Sequence, residues 1–351
     1  MTRSLSLRVL AMVAMAAIAV PACTRSSGSS NAKPSDFYAA APKLEDVRKL
    51  MGDDNWWPAP PSFGVRPLNA DSTPPDERFS FTLRYLHIGT VETVIVDYIM
   101  WNTSSAATTR MNNIQSALGT SATGPKVGDQ VLYYGSQISG AAPYETTSYV
   151  RVGQAMAVVL WARKDGYPTV NQLGKLAAKF TSRLKDLLAG KIRSTPAPTS
   201  DVALLPPAGM DITLLGTARI PIEAAVLMLG FASPEAVAKI FHDSGVDDFV
   251  YGDYALDTDT HMEVRALLFE FSSQAAATSW IDAIRGSSQL DAEGIFSTYY
   301  DVSGQYYFAF SSGTKAALLN CLSTSPSEAA SRACEAPLAR QAVTWKLSLE
   351  S

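Results

Sequence analysis

Apolar and polar residues alternate through Phe79, Ser80, Phe81, Thr82, Leu83, Arg84 and Tyr85, the period-two pattern of a strand with one buried face. A short turn at Gly89 leads into residues 91–101, which are apolar on both faces for most of their length and so predict a central strand. A Ser-rich turn then opens an Ala-rich helix at 105–118, followed by a strand at 130–134 and a hairpin of 147–152 and 155–162 about Gly153 and Gln154. Leu173, Leu176, Ala177, Phe180, Leu184, Leu187 and Leu188 fall on a single helical stripe, which predicts a closing helix laid on one face of the sheet.

The same order returns further along the chain. Ser233, Pro234 and Glu235 read as a cap, a first-turn proline and a first-turn acid. Strands are expected at 249–255, 262–271 and 295–300, then a hairpin from 306–310 across Ser312 and Gly313 to 316–319. Residues 326–348 complete the pattern as a helix broken at Pro337, although Val343, Trp345, Leu347 and Leu349 alternate as a strand would. Laid over each other without gaps, residues 94–114 and 264–284 share five identities, and the order of elements makes the stronger case for an internal repeat of about 170 residues. A Pro/Ser/Thr-rich break at 193–200 separates the halves. The expected fold is α+β: two similar tandem domains, each an antiparallel sheet covered by helices. Residues 37–192 would form the first domain, 193–203 a linker and 204–351 the second.

Ahead of these domains the pattern changes. Residues 1–22 carry Arg3 and Arg8 before an acid-free apolar run from Val9 to Val20, too short to span a bilayer and typical of an export signal. The run ends in Val20, Pro21, Ala22 and Cys23. This resembles the lipobox of bacterial lipoproteins, with a branched residue at −3 and a small one at −1, while Pro21 departs from the usual small residue at −2. The resemblance implies cleavage before Cys23, acylation of its thiol and new amino terminus, and residence on the extracytoplasmic face of the cell membrane. Residues 23–36, rich in Ser and Gly, read as a flexible linker. The element order also resembles α+β domains of actinobacterial lipoproteins and exported sensor domains, a likeness that carries over no functional residue.

With Cys23 taken by lipid, Cys321 and Cys334 remain as a pair in a chain sent where disulfides persist. With 29 Lys and Arg against 33 Asp and Glu, there is no basic excess for a nucleic-acid backbone, so nucleic acid is not an expected partner. Lys175, Lys179 and Arg183, with Lys191 and Arg193 beyond, form a basic stripe opposite the apolar one; it suits either a solvated face or anionic headgroups.

Signatures of chemistry are sparse. The sequence has no Gly-x-Ser-x-Gly elbow, phosphate loop, dinucleotide fingerprint or His-Glu-x-x-His motif, so no catalytic residue and no cofactor is assigned. Three histidines exist, His87, His242 and His261. The densest polar group is Asp247, Asp248, Asp253, Asp257 and Asp259 before His261, of which Asp253, Asp257, Asp259 and His261 are the candidates for a hard cation, in a spacing that matches no calcium loop. Trp56 and Trp57, in a Pro-rich segment, are the candidate aromatic contact for a ligand, if not packed on their own sheet. Two function classes follow: a non-catalytic, membrane-anchored lipoprotein that binds a ligand or an envelope protein, or a small hydrolase or metal-dependent enzyme using the Asp-rich loop and His261.

Overall fold

The computed structural model describes residues 32, 34–64, 77–90, 92–137, 143–194, 198–207, 209, 211–228, 233–256, 259–286, 289–300, 305–323 and 334–351. The segment read as an export signal, Cys23 and most of the segment read as linker lie outside the described residues. Among those described, no helix is long and apolar enough to cross a membrane.

Two short helices come first, α1 (Pro34–Ala40) and α2 (Leu44–Met51). The first begins inside the stretch read as linker, because Asp36 is buried and accepts a hydrogen bond from the Ser194 amide at 2.6 Å. The first sheet contains β1 (Trp56–Pro58), β2 (Ser62–Gly64), β3 (Glu77–His87), β4 (Thr93–Trp101), β5 (Gln130–Gln137), β6 (Tyr144–Val152) and β7 (Ala155–Arg163). Its order is β1-β3-β4-β7-β6-β5, with β2 also on β3, and every pairing is antiparallel. Two helices cover it, α3 (Ser104–Leu118) and α4 (Val170–Leu188).

A short helix α5 (Thr199–Val202) then leads to β8 (Ile212–Pro221), α6 (Ile222–Met228), α7 (Pro234–Asp243), β9 (Asp248–Leu256) and β10 (Asp259–Glu270). The chain continues through α8 (Gln274–Arg285), β11 (Phe296–Tyr300), β12 (Gln305–Ser312), β13 (Lys315–Ser323) and α9 (Glu335–Glu350). The second sheet runs β8-β9-β10-β13-β12-β11, the first sheet's order strand for strand. The fold is thus two similar tandem α+β units, as the repeat predicts.

The likeness extends to local detail. Thr103 caps α3 by accepting from the Ala106 amide, and Ser273, 170 positions on, caps α8 by accepting from the Ala276 amide. Each central hairpin turns on a glycine with positive φ, Gly153 before Gln154 and Gly313 before Thr314, as a two-residue turn between twisted strands requires. On the closing helices, Leu173, Ala177 and Phe180 of α4 are buried as Leu338, Ala342 and Trp345 of α9 are. The predicted break at Pro337 does not occur: the proline is the third residue of α9, where its missing N–H costs no intrahelical bond.

The apolar stripe of α4 closes the main core of the first half over Phe79, Phe81, Tyr85 and Tyr98. Part of its basic stripe is engaged within the chain: Lys179 pairs with Asp46 at 3.0 Å and Arg183 donates to the Ala39 and Ala40 carbonyls, while Lys175 stays exposed. Those bonds staple α1 and α2 onto α4. In the second half α9 covers the corresponding face, and Cys334 at its amino end forms the disulfide with Cys321 of β13, with Cα atoms 6.5 Å apart, inside the range a bridge can span.

Candidate functional site

In each half the closing helix covers one sheet face, and the other face is only partly covered by the helix that follows the central strand. In the second half, α6, α7 and α8 pack over Phe249, Phe269 and Ala309. The rest of that face receives the amino-terminal part of the chain. Tyr251 donates from its hydroxyl to the Pro61 carbonyl at 2.7 Å, Trp57 joins the same apolar cluster, and the Tyr38 hydroxyl donates to Asp253. The Tyr38 ring lies so close to β8 that a Cβ on Gly216 would stand 2.4 Å from it. A side chain at that position is excluded by sterics.

Beneath Tyr38 lies an ionic group. Arg265 donates from Nε to Glu263 Oε1 at 2.7 Å and is the register partner of Asp253 on the next strand; Asp253 and Glu263 are 0% and 4% exposed. Burial by itself would lower the arginine's pKa, but Glu263, Tyr251 and Asp253 together outweigh it and keep the guanidinium charged. Burial and the Asp253 charge push the Tyr38 phenol well above its ordinary value, so it stays a donor. This group joins the two halves; its two carboxylates are buried and only the Arg265 side chain, 19% exposed, reaches solvent.

The corresponding face of the first half is different. The 170-residue offset places Thr93, Ile95 and Asp97 where the second half has Glu263, Arg265 and Leu267. Under α3 the face is packed by Trp101, Met111, Leu132 and Met156. Beyond that helix Ile95, Asp97, Thr82, Val158, Leu160 and Tyr149 are all half-buried, neither core nor free surface. Thr82 donates from Oγ1 to Asp97 Oδ1 at 2.6 Å, which orients the carboxylate. Burial raises the Glu77 carboxyl to about 7 against the pull of the Arg110 cation, with Asp97 adding to the rise. The Tyr149 hydroxyl is raised by burial and feels both Arg110 and Asp97. Two carboxyls, a guanidinium and a phenol thus share one partly open sheet face. Such a set can donate and accept hydrogen bonds to a polar ligand, and Glu77 changes protonation state near neutral pH.

None of these five residues stood out in the sequence. The one available signal was Asp97, an acid in the middle of a strand whose neighbours are Val, Ile and Tyr.

The candidates that did stand out are placed as follows. Cys23 lies outside the described residues. Trp56 is 2% exposed and meets the His87 ring edge-on at 5.3 Å, so it is core. Trp57, on the opposite face of β1, is half-buried under the Arg48 guanidinium, 4.3 Å from the ring centre. Both tryptophans pack on their own chain. Of the Asp-rich set, Asp253 is buried in the ionic group rather than in a loop, Asp257 lies outside the described residues, and Asp259 and His261 occupy β10. Among the described residues no group of three or more His, Cys, Asp or Glu is placed to hold a metal.

His87 bonds Asp53 through Nε2 and Thr90 through Nδ1, both at 2.8 Å. Despite the hydroxyl, imidazole and carboxylate in line, the ring is 7% exposed, and Thr90 sits three residues on, so the contacts close the β3–β4 turn. His242 is clamped between Glu223 on Nε2 and Asp247 on Nδ1, each at 2.8 Å.

No protein-family model and no curated protein matches the chain. Among solved structures, the extracellular domain of PknH from Mycobacterium tuberculosis is similar over 42% of this chain and 94% of that one, at 14% identity and a TM-score of 0.33. A likeness this slight carries no function across.

Proposed function

We propose that this chain is an extracytoplasmic binding module, anchored to the cell membrane by lipid on Cys23, whose first half presents the ligand face and whose second half supports it. The observation that carries this reading is the contrast between two equivalent faces. In the second half the face is sealed by Tyr38, Trp57 and Pro61 over buried ions; in the first half it stays half-open and carries Glu77, Thr82, Asp97, Arg110 and Tyr149. Titratable groups on a partly open apolar floor are the usual marks of a recognition site. The ligand is polar or an envelope protein with a polar contact, and the chain binds it without converting it.

The test has two arms. Intact mass and membrane fractionation should show a diacylated Cys23 as the mature terminus, and Cys23→Ser should release the protein from the membrane fraction. A thermal-shift screen of amino acids, polyamines, sugars and short peptides should return hits that vanish in the folded Asp97→Leu, Arg110→Ala double variant. Hits that survive that variant place the binding elsewhere, and turnover of any hit would defeat the non-catalytic part.

A further inference from the structure

Guanidinium groups in this molecule generally meet an acceptor within the chain. Arg163 pairs with Glu92 at 3.4 Å, Arg219 with Asp201 and Asp248 at 3.1 Å each, and Arg265 with Glu263 at 2.7 Å, while Arg183 donates to two carbonyls. Arg110 of α3, on the half-open face of the first half, does not. It is half-buried, yet among the described residues its guanidinium makes neither a hydrogen bond nor an ion pair. Five donors in a fixed fork are thus left without an acceptor.

A second donor on that face is in the same condition. Tyrosines around it follow the rule that a buried hydroxyl finds a partner: Tyr98 donates to the Phe180 carbonyl at 3.0 Å, Tyr133 to Pro125 at 2.8 Å and Tyr134 to Gly119 at 3.0 Å. The half-buried Tyr149 has its ring against Tyr134, with 6.2 Å between centroids, but no described residue accepts its hydroxyl proton. Arg110 lies close enough to Tyr149 and to Glu77 for its charge to act on both. Two unused donors therefore sit within electrostatic reach of each other.

Beside them the face is apolar. Tyr149 is the register partner of Val158, and in the next row of the same face Leu160 lies opposite Ile95. Met156, two residues back along β7, is packed under α3, so the half-buried Val158, Leu160 and Ile95 form a floor that runs away from that helix. Arg84, opposite Ile95 on β3, is already engaged. Asp97 stands on the same face, held by Thr82, and Glu77 adds negative charge as it ionises. A dianion such as a phosphate would be repelled there more strongly than a single carboxylate.

Taking this face as the ligand face, as the proposed function does, we propose that its ligand is an organic monocarboxylate. The carboxylate accepts from the Arg110 guanidinium and the Tyr149 hydroxyl, and the apolar body lies on Val158, Leu160 and Ile95. A guanidinium fork takes a carboxylate through two parallel hydrogen bonds, which fixes its orientation. Neither donor has to give up a bond within the chain to receive it.

The probe is sodium octanoate, titrated into the purified full chain by isothermal calorimetry, with acetate, octyl phosphate and octylamine as comparisons. Octanoate should bind saturably in the millimolar range or tighter. Acetate, which lacks the apolar body, should bind at least about tenfold more weakly; octyl phosphate should bind severalfold more weakly, and octylamine not at all. Arg110→Met should weaken octanoate at least about tenfold, and Tyr149→Phe, which removes one oxygen, about threefold or more. Because Arg110 has no partner in the free chain, Arg110→Met should melt at the same temperature as the parent. No saturable binding of octanoate, binding indifferent to both substitutions, or octyl phosphate or octylamine binding as tightly as octanoate would overturn the proposal. So would a large drop in the melting temperature of Arg110→Met, since it would place the guanidinium in a bond within the chain. A chain that ignores octanoate but still returns other hits lost in the Asp97→Leu, Arg110→Ala variant would leave the ligand face standing and remove only the carboxylate.

Discussion

Replacing Tyr38 by Phe removes one oxygen from the seam between the halves. In the native seam the Tyr38 hydroxyl donates to Asp253, a carboxylate with no exposed surface. A hydrogen bond to a buried charged acceptor is worth roughly 1.5–3 kcal/mol, and removing the donor leaves the acceptor desolvated. The ring stays in place against Gly216 and Phe81, so little packing is lost. The expected cost is therefore about 2 kcal/mol, or ~4–8 °C in Tm for a unit of 150–250 residues.

The measurement is urea unfolding followed by tryptophan fluorescence and circular dichroism, run on Tyr38→Phe, Asp253→Asn and the double variant. Contact between the two groups requires a coupling energy of at least about 1 kcal/mol in that cycle. Arg265→Met, which strips the cation from Glu263 and Asp253, should cost more, about 3–5 kcal/mol, because it leaves buried charge uncompensated. A Tyr38→Phe effect within about 0.5 kcal/mol of zero, the range of ordinary surface substitutions, would refute the assignment of this bond as a tie between the halves.

Glu77 titrates at about 7 in the folded chain against 4.5 for the free group, so the folded state holds its proton longer and its stability falls as pH rises across that window. Glu77→Gln should accordingly stabilise the protein at pH 8 and leave it unchanged at about pH 4, read from thermal melts at both. His242 is raised by its bonds to Asp247 and then Glu223; both ring nitrogens face carboxylates, so the clamp needs the imidazolium. Its contribution is complete below about 6.5 and disappears as pH rises through the folded value. His242→Gln should then lower stability at pH 5.5, by no more than about 1 kcal/mol given its exposure, and be neutral at pH 9. Replacing Cys321 and Cys334 together by Ser should cost about 3 kcal/mol for a loop of this length, measured against the oxidised parent in urea. A reducing agent should bring the parent down to the variant.

Periodicity marked most of the elements that matter. The strands β3, β4, β6, β7, β9, β10, β12 and β13, the caps of α3 and α8, and the α4 stripe were all legible because each depends on residues close in sequence. Missed were β1, β2, β8 and the helices α1, α2 and α6, which are short or lack a clean period. Asp253 is the instructive error. Among five aspartates before His261 it read as part of a polar loop, yet it occupies β9 with its side chain under Tyr38, 215 residues away in sequence.

Local pattern by itself indicated that this chain repeats an α+β unit and that Cys321 and Cys334 are a pair. Such features follow from composition, from the 2.0 and 3.6 periods, and from the chemistry of neighbouring residues. Which of two equivalent sheet faces stays open and which acids are buried with an arginine were decided only in the folded molecule. Those outcomes turn on contacts between residues up to 215 positions apart, such as Tyr38 with Asp253 and Pro61 with Tyr251. Burial and charge pairing are set by what the rest of the chain brings over a position, and no window along the sequence contains it.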